Sequence, residues 1–513
     1  MAQARWLGAL RVPASEAPGV RALLQAWRDQ PLGRLAARAI AALAGSYAIV
    51  ALTYVSFKRI RYPYDLEWME GGSLLHVARV LDGAPLYTPP SLDWTPYIYT
   101  PLYWYVSAAF AKFMGLGLFA PRLVSLLASG VALLAIYACV RRDGSRLSAF
   151  LAAALFAATF RLSGSWFDIA RPDMLACALG CASIWLLGSR SPSLLRDALA
   201  ASLLAGSVLS KQTWLLAACA VMVAAVVERP RHVVVLVPSF VLPLATFWVL
   251  AHFATAGWST YYTLRLPFEH DVVPNGLMTF IVNDVSRNYG PVTCLAVAAF
   301  VLVPRNERRF FAIVALGCLG AALAARLHSG GYDNVLIPGY AVLAILAGRA
   351  IAHAQRAGET GGKNALGILA LTAVVVQIAS LHYDVAAEIP IRKDRVAGKR
   401  VVEIFKSQPG DVLVPYHAGF CLTAKKPCYA HWMAMSDVLR GSQEEPRALL
   451  RESMRKTLAS KRISAVITDD QFGGDLVPLV NEHFSKRTRL ENDGGPTPKT
   501  GYITRPIELR TRP

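Results

Sequence analysis

Apolar residues in this chain fall into repeated uncharged blocks with short polar breaks between them. Residues 39–57, 123–140, 233–251 and 364–381 each approach the ~20 residues a helix needs to cross hydrocarbon. Shorter blocks lie at 147–160, 174–189, 198–210, 212–227, 288–304, 310–325 and 335–348. One such block alone also fits a buried helix of a soluble core. Their close succession predicts an all-α polytopic membrane bundle of about eleven transmembrane helices over residues 39–381. Residues 1–38 form a basic segment with six arginines and no cleavable signal pattern before the first block.

The pattern changes after residue 381. Residues 382–513 are polar, with strand-like DVLVPY at 411–416 and ISAVIT at 463–468. Between them SQEEPRALLRESMRKTLASK reads as a helix, with Ser442 and Glu445 spaced as a capping box. This predicts a small C-terminal α/β domain outside the membrane. The connection 58–119 is long for a bundle. Within it 67–82 (EWMEGGSLLHVARVLD) predicts a short helix with Leu74, Leu75, Ala78 and Leu81 on one side, and 99–114 (YTPLYWYVSAAFAKFM) a second. Both suit helices lying at the membrane interface. A second long connection, 252–287, holds Arg265, Glu269, His270, Asp271 and Arg287.

Composition agrees with the pattern. The 513 residues are 54% hydrophobic and 17% charged, where a soluble chain carries roughly a quarter charged residues. Lys and Arg counted in alternate connections set the orientation. The set 1–38, 141–146, 190–197, 228–232, 305–309 and 349–363 holds 19 Lys/Arg against 7 Asp/Glu, and the other set up to residue 381 holds 12 against 11. The first set is therefore read as cytoplasmic, with the N-terminus inside and both the 58–119 connection and the C-terminal domain outside. KRIR at 58–61 runs against the rule locally. The net charge of +19 is then a topology signal with a basic tail, and no basic-aromatic module accompanies it that would bind nucleic acid. Six of the eight cysteines fall in apolar blocks as packing residues. Cys421 and Cys428 fall in the outer domain, where a disulfide is permitted but not required.

The outer connections carry the candidate chemistry. RYPYDLEWMEGG at 61–72 places Asp65, Glu67 and Glu70 within six positions directly after an uncharged run. Helix capping is the ordinary explanation for such acids, but the same face collects more. GSWFDIARPDML brings Asp168, Arg171 and Asp173, the last at the start of a helix after Pro172. SKQTW leaves Lys211 as the one charge between two apolar blocks. RLHSGGYDN at 326–334 carries Arg326, His328, Tyr332 and Asn334. Ionisable residues bordering hydrocarbon are costly and more often functional than surface charges. A carboxylate can take the proton of an attacking hydroxyl, and Lys and Arg can hold a departing phosphate. Trp68, Tyr97, Tyr99 and Trp166 can stack on a sugar or anchor at the interface.

The order of these motifs over about residues 36–350 resembles that of the GT-C glycosyltransferases, the group with aminoarabinose transferases, protein mannosyltransferases and the RgtA/B/C/D-like domain. The likeness rests on YDLEWMEG, GAPLY at 83–87, YTPLYWY at 99–105, the Ala120-Pro121-Arg122 entry to the second span, Asp173, Lys211 and GGYDNVLIP at 330–338. It implies transfer of a sugar from a polyprenyl-phosphate donor to an acceptor glycan, lipid or protein, at the outer face of a bacterial inner membrane and in contact with its lipids. It further implies Asp65 as the base with Glu67 in competition, and Asp173 as an orienting carboxylate. Arg171, Lys211, Arg265 and Arg326 would bind the donor phosphate, and Glu70, Tyr99, Asp168, His270, His328 and Asn334 would line the substrate site. The spaced Asp-Leu-Glu departs from the adjacent Asp-Glu common in the group, which leaves the base open between the two. Some relatives use a divalent metal; nothing in this sequence requires a metal or any other cofactor. A flippase or transporter of a lipid-linked glycan is the competing reading, although no half-repeat of the transporter kind is visible.

Overall fold

Uncharged blocks fold as helices because only a helix satisfies every backbone N–H and C=O within its own segment when water is absent. The computed structural model describes residues 31–513 apart from 190, 192, 362, 363, 492 and 493, so residues 1–30 of the basic N-terminal segment lie outside the described residues. Among the described residues five helices are long and apolar enough to cross a bilayer: Leu32–Arg59, Phe119–Arg141, Pro230–Ala254, Glu307–Leu327 and Asp333–Ala357. A bent pair, Gly276–Arg287 with Gly290–Leu302, meets at 89°. Shorter apolar helices occupy Arg146–Ala158, Asp173–Leu187, Gln212–Glu228 and Ala365–Ser380. Length and apolarity thus account for five spans, or six with the bent pair, against the eleven blocks in the sequence.

The bundle packs through small residues. Ala217, Ala218, Ala224 and Ala225 are buried, as are Cys318, Ala321 and Ala322 of the helix Arg305–Leu327 that packs on theirs. A Cβ added to Gly317 would stand 2.1 Å from the Cβ of Ala220. Close backbone approach of this kind is how helices associate where no water drives them together.

Past the bundle the chain builds a four-stranded sheet from β1 (Asp411–Leu413), β2 (Ile463–Asp469), β3 (Lys486–Arg489) and β4 (Pro506–Thr511), in the order β1-β2-β4-β3. β1 and β2 are parallel, the other two pairings antiparallel. The β1–β2 crossover carries three helices, Phe420–Ala424, Trp432–Arg440 and Glu444–Ala459, as a parallel pair requires. A disulfide joins Cys421 and Cys428, with Cα atoms 5.3 Å apart. The expected capping box at Ser442 and Glu445 is not formed. The helix starts at Glu444, and Glu269, reaching in from the bundle, accepts the amides of Ser442 (2.9 Å) and Gln443 (3.4 Å). A carboxylate from elsewhere has taken the role that the local pair would have played.

The two expected interfacial helices appear at Glu70–Leu81 and Leu102–Met114. The second exposes Tyr105, Phe113 and Met114, as a lipid-facing helix does. The first corrects the expectation: Glu70 through Ala78 are buried, because the sheet-bearing part of the chain sits on this helix and shares one apolar core with it. The Gly71-Gly72 pair is what admits that contact. A Cβ at Gly71 would lie 2.5 Å from the amide nitrogen of Gly419, and one at Gly72 2.0 Å from the Tyr97 hydroxyl. We expect Gly71→Ala to force the two backbones apart and cost about 1–3 kcal/mol, the usual range for overpacking, read as a lower melting temperature of the full-length protein. An unchanged melting temperature would mean that the interface is loose.

Candidate active site

The three acids of the first connection have different partners. Glu70 is saturated. Arg122 donates to it twice, at 2.8 and 2.6 Å, and the amides of Leu66 and Ala170 add bonds of 2.6 and 2.7 Å. Burial pushes the Glu70 carboxyl up, but the Arg122 charge and these hydrogen bonds together hold it below its usual range. Arg122 also donates to the carbonyls of Arg59, Tyr62 and Tyr64. Glu70 is therefore placed to shape the loop, with no oxygen left for a substrate. Asp168 is likewise occupied, since Arg59 spans both its oxygens and also approaches Glu388 at 3.5 Å.

Glu67 is the opposite case. Its Oε2 accepts the Met69 amide at 3.2 Å and lies 4.0 Å from Arg171 Nε, while its Oε1 has no protein partner although the residue is wholly buried. Burial pushes this carboxyl up to about 8; Arg171 opposes that shift, and Glu70 and Asp65 add to it. Residues 499–501 cover Glu67. The amides of Lys499 and Thr500 donate to the Leu66 carbonyl at 2.7 and 3.1 Å, the Thr500 hydroxyl to Gly164 O, and a Cβ at Gly501 would stand 2.7 Å from Glu67 Oε1. Asp65 does not cap the helix after it. Its Oδ2 faces His417 Nδ1 at 3.0 Å, and His417 Nε2 faces Asp469 Oδ2 at 3.0 Å. Burial raises the Asp65 carboxyl against the pull of His417. His417, despite burial, is lifted to about 10 by Asp469 and Asp65.

The GSWFDIARPDML and SKQTW stretches meet at Asp173. Pro172 precedes the helix and Asp173 opens it. Asp173 Oδ1 accepts Lys211 Nζ at 2.5 Å and Asn334 Nδ2 at 2.7 Å, while Oδ2 has no protein partner. Lys211 can reach because the chain is extended there between two helical segments, φ −153° and ψ 111°. Gln212 beside it donates to the Ile98 carbonyl and fixes the break. Tyr99 joins the two halves. Its hydroxyl accepts from Arg171 Nη2 at 3.0 Å, and Arg171 and Lys211 lie over its ring at 5.3 and 5.5 Å. Arg171 also faces Tyr97 and Trp166, yet its Nε and Nη1 have no hydrogen-bond partner. Asp173, Lys211, Asn334, Thr213, Trp214 and Pro338 border a cavity with about 10 Å³ open to the centre of a water molecule, room for one water.

Other sequence-marked residues lie apart. Arg326 pairs with Asp284 at 2.9 and 3.0 Å and with Asp333 at 3.3 Å. His270 and His328 face each other at 3.2 Å, and His270 also faces the Asp437 carbonyl in the C-terminal region. Arg265 is exposed. Among the described residues no three His, Cys, Asp or Glu side chains converge to hold a metal ion. The residues that sequence reasoning missed are His417 and Asp469. The signal was available: one follows β1 and the other ends β2 at the carboxyl ends of a parallel pair, where α/β sheets place functional groups.

No family model matches the chain, and no curated protein matches it. Solved structures do. ArnT from Cupriavidus metallidurans bound to undecaprenyl phosphate superposes with a TM-score of 0.59 over 91% of this chain and 97% of that one, at 12% identity. The same ArnT in the apo state gives 0.57 with the same coverage, at 11% identity. The chain shares the fold of these ArnT structures. The likeness runs through the bundle and most of the polar C-terminal part, since it covers 91% of the chain, and it accords with a multi-pass membrane protein.

Proposed function

We propose that this protein is a membrane glycosyltransferase that moves a sugar from a polyprenyl-phosphate carrier to an acceptor hydroxyl at the outer face of the inner membrane. The observation that carries the reading is one continuous line of side chains, Glu67, Arg171, Tyr99, Lys211, Asp173 and Asn334, with Glu67 Oε1, Arg171 Nε and Nη1, and Asp173 Oδ2 buried and without a hydrogen-bond partner. Unmade hydrogen bonds to buried charged groups are costly. Their clustering fits a site that completes its bonds on substrate.

Arg171 and Lys211 carry the positive charge suited to the donor phosphate, and Asp173, itself held by Asn334, fixes the ammonium that approaches it. The acceptor O–H proton passes to a carboxylate as the new C–O bond forms at the anomeric carbon and the sugar–phosphate bond breaks, its electron pair leaving with the polyprenyl phosphate. Motif order puts Asp65 first as base, but geometry supports Glu67. Its free oxygen lies on the residue next to Arg171, and a pKa near 8 suits a base working near neutrality. The test is release of undecaprenyl phosphate, with passage of label to an acceptor, from radiolabelled undecaprenyl-phosphate hexoses and pentoses by protein in lipid nanodiscs supplied with a cell-envelope extract as the source of acceptors. Glu67→Gln should eliminate release, whereas Asp65→Asn should retain a measurable part of it. Full loss in Asp65→Asn with near-normal release in Glu67→Gln would exchange the roles. Movement of intact donor across sealed vesicles without release would support a flippase instead.

A further inference from the structure

We propose that His417 and Asp469, contributed by the sheet, act as positioning residues for the acidic loop: His417 is a fixed cation that keeps Asp65 ionised, and ionised Asp65 sets the proton affinity of Glu67. This rests on the glycosyltransferase reading and extends its site to a part of the chain that carries none of the motifs.

Geometry assigns the charge on His417. Its Nδ1 faces the Asp65 carboxylate at 3.0 Å, and its Nε2 faces the Asp469 carboxylate at 3.0 Å and the Thr504 carbonyl at 3.2 Å. The Thr504 carbonyl can only accept, so Nε2 carries hydrogen, and with a carboxyl group 3.0 Å from each ring nitrogen we assign a proton to Nδ1 as well, which makes the ring an imidazolium. Its charged surroundings are limited. From the first connection come Asp65 and, behind it, the Glu70–Arg122 pair; from β2 comes Asp469. The Thr504 hydroxyl bridges Asp469 and Asp470 at 3.1 and 3.0 Å. On the remaining side His431 lies between the carbonyls of Trp68 and Tyr416 and is held neutral near pH 7, its pKa pushed to about 3 by burial. Asp65 is thus one of three acids within six positions, and its own direct cation is His417. Without that cation burial would push the Asp65 carboxyl higher still and favour its protonated form. Glu67 would then lose a neighbouring negative charge and hold its proton less tightly.

The test compares wild type, His417→Gln and the near-isosteric Asp469→Asn, each full length in nanodiscs, between pH 5.5 and 9.5. The probe is release of undecaprenyl phosphate from the panel above, and nitrogen NMR of ¹⁵N-histidine-labelled protein reports the ring directly. We expect both nitrogens of residue 417 protonated at pH 8. We expect the acidic limb of kcat/KM to move down by about one pH unit in His417→Gln, the order of shift a close charge produces, with a smaller shift in Asp469→Asn and donor KM unchanged. A neutral ring at pH 8, or a lower folded yield with an unmoved pH profile, would overturn the proposal while leaving the transfer reading intact. No release by wild type from any probe would remove both.

Discussion

Glu67→Gln should eliminate transfer and, above pH 8, make the protein more stable than wild type. Glutamine keeps the shape of the side chain and cannot accept the acceptor proton, so a loss of ~10²- to 10⁴-fold is expected from removal of a general base. The stability effect comes from burial. A folded-state pKa near 8 against an ordinary value of 4.5 means that the native state prefers Glu67 protonated. Its contribution is fully present below about pH 4.5 and is lost as pH rises through about 8. The amide of the variant has no charge to bury. Its melting temperature should exceed that of wild type by roughly 2–10 °C at pH 9, where wild type must bury the ionised carboxylate, and match it at pH 5. Calorimetry at pH 5, 7 and 9 reads this. Equal destabilisation at every pH would mean that the side chain acts through packing alone.

The second large effect is expected at Arg122. Arg122→Met leaves Glu70 buried among the amides of Leu66 and Ala170 with its counter-charge removed, and frees the Tyr62 and Tyr64 carbonyls from their donor. Breaking a buried pair from one side costs about 3–5 kcal/mol. Folded yield and melting temperature should fall sharply. Adding Glu70→Gln removes the orphaned charge and should recover part of the loss, because a neutral amide oxygen still accepts from the backbone donors. If the double variant is no better than the single one, Arg122 acts through its carbonyl contacts and not through the ion pair.

Much of this arrangement was legible because membrane sequences punish stray charge. Asp173 and Lys211 stand out between uncharged blocks, and the structure joins them at 2.5 Å. KRIR at 58–61 runs against the charge rule locally, and of these residues Arg59 is engaged by Asp168 and Glu388 inside the protein, where it acts as an ion-pair partner. The sheet was half legible. β1 and β2 are mostly buried and rich in apolar residues, whereas every residue of β3, KRTR, is exposed and offers no alternation to read. For His417 and Asp469 the strand ends could mark the position but not the partner: nothing in a linear sequence says that a histidine after one strand will face an aspartate 352 positions earlier.

In the strap 499–501, Thr500 is tied by its amide to Leu66 and by its hydroxyl to Gly164, and Lys499 adds a second bond to Leu66; Leu66 stands next to the acids and Gly164 a few residues before Arg171. Any molecule that reaches Glu67 from this side must lift the strap, and lifting it frees Leu66 and Gly164 together. If Glu67 is the base and Arg171 meets the phosphate, as proposed, opening one side of the site would loosen the other in the same movement.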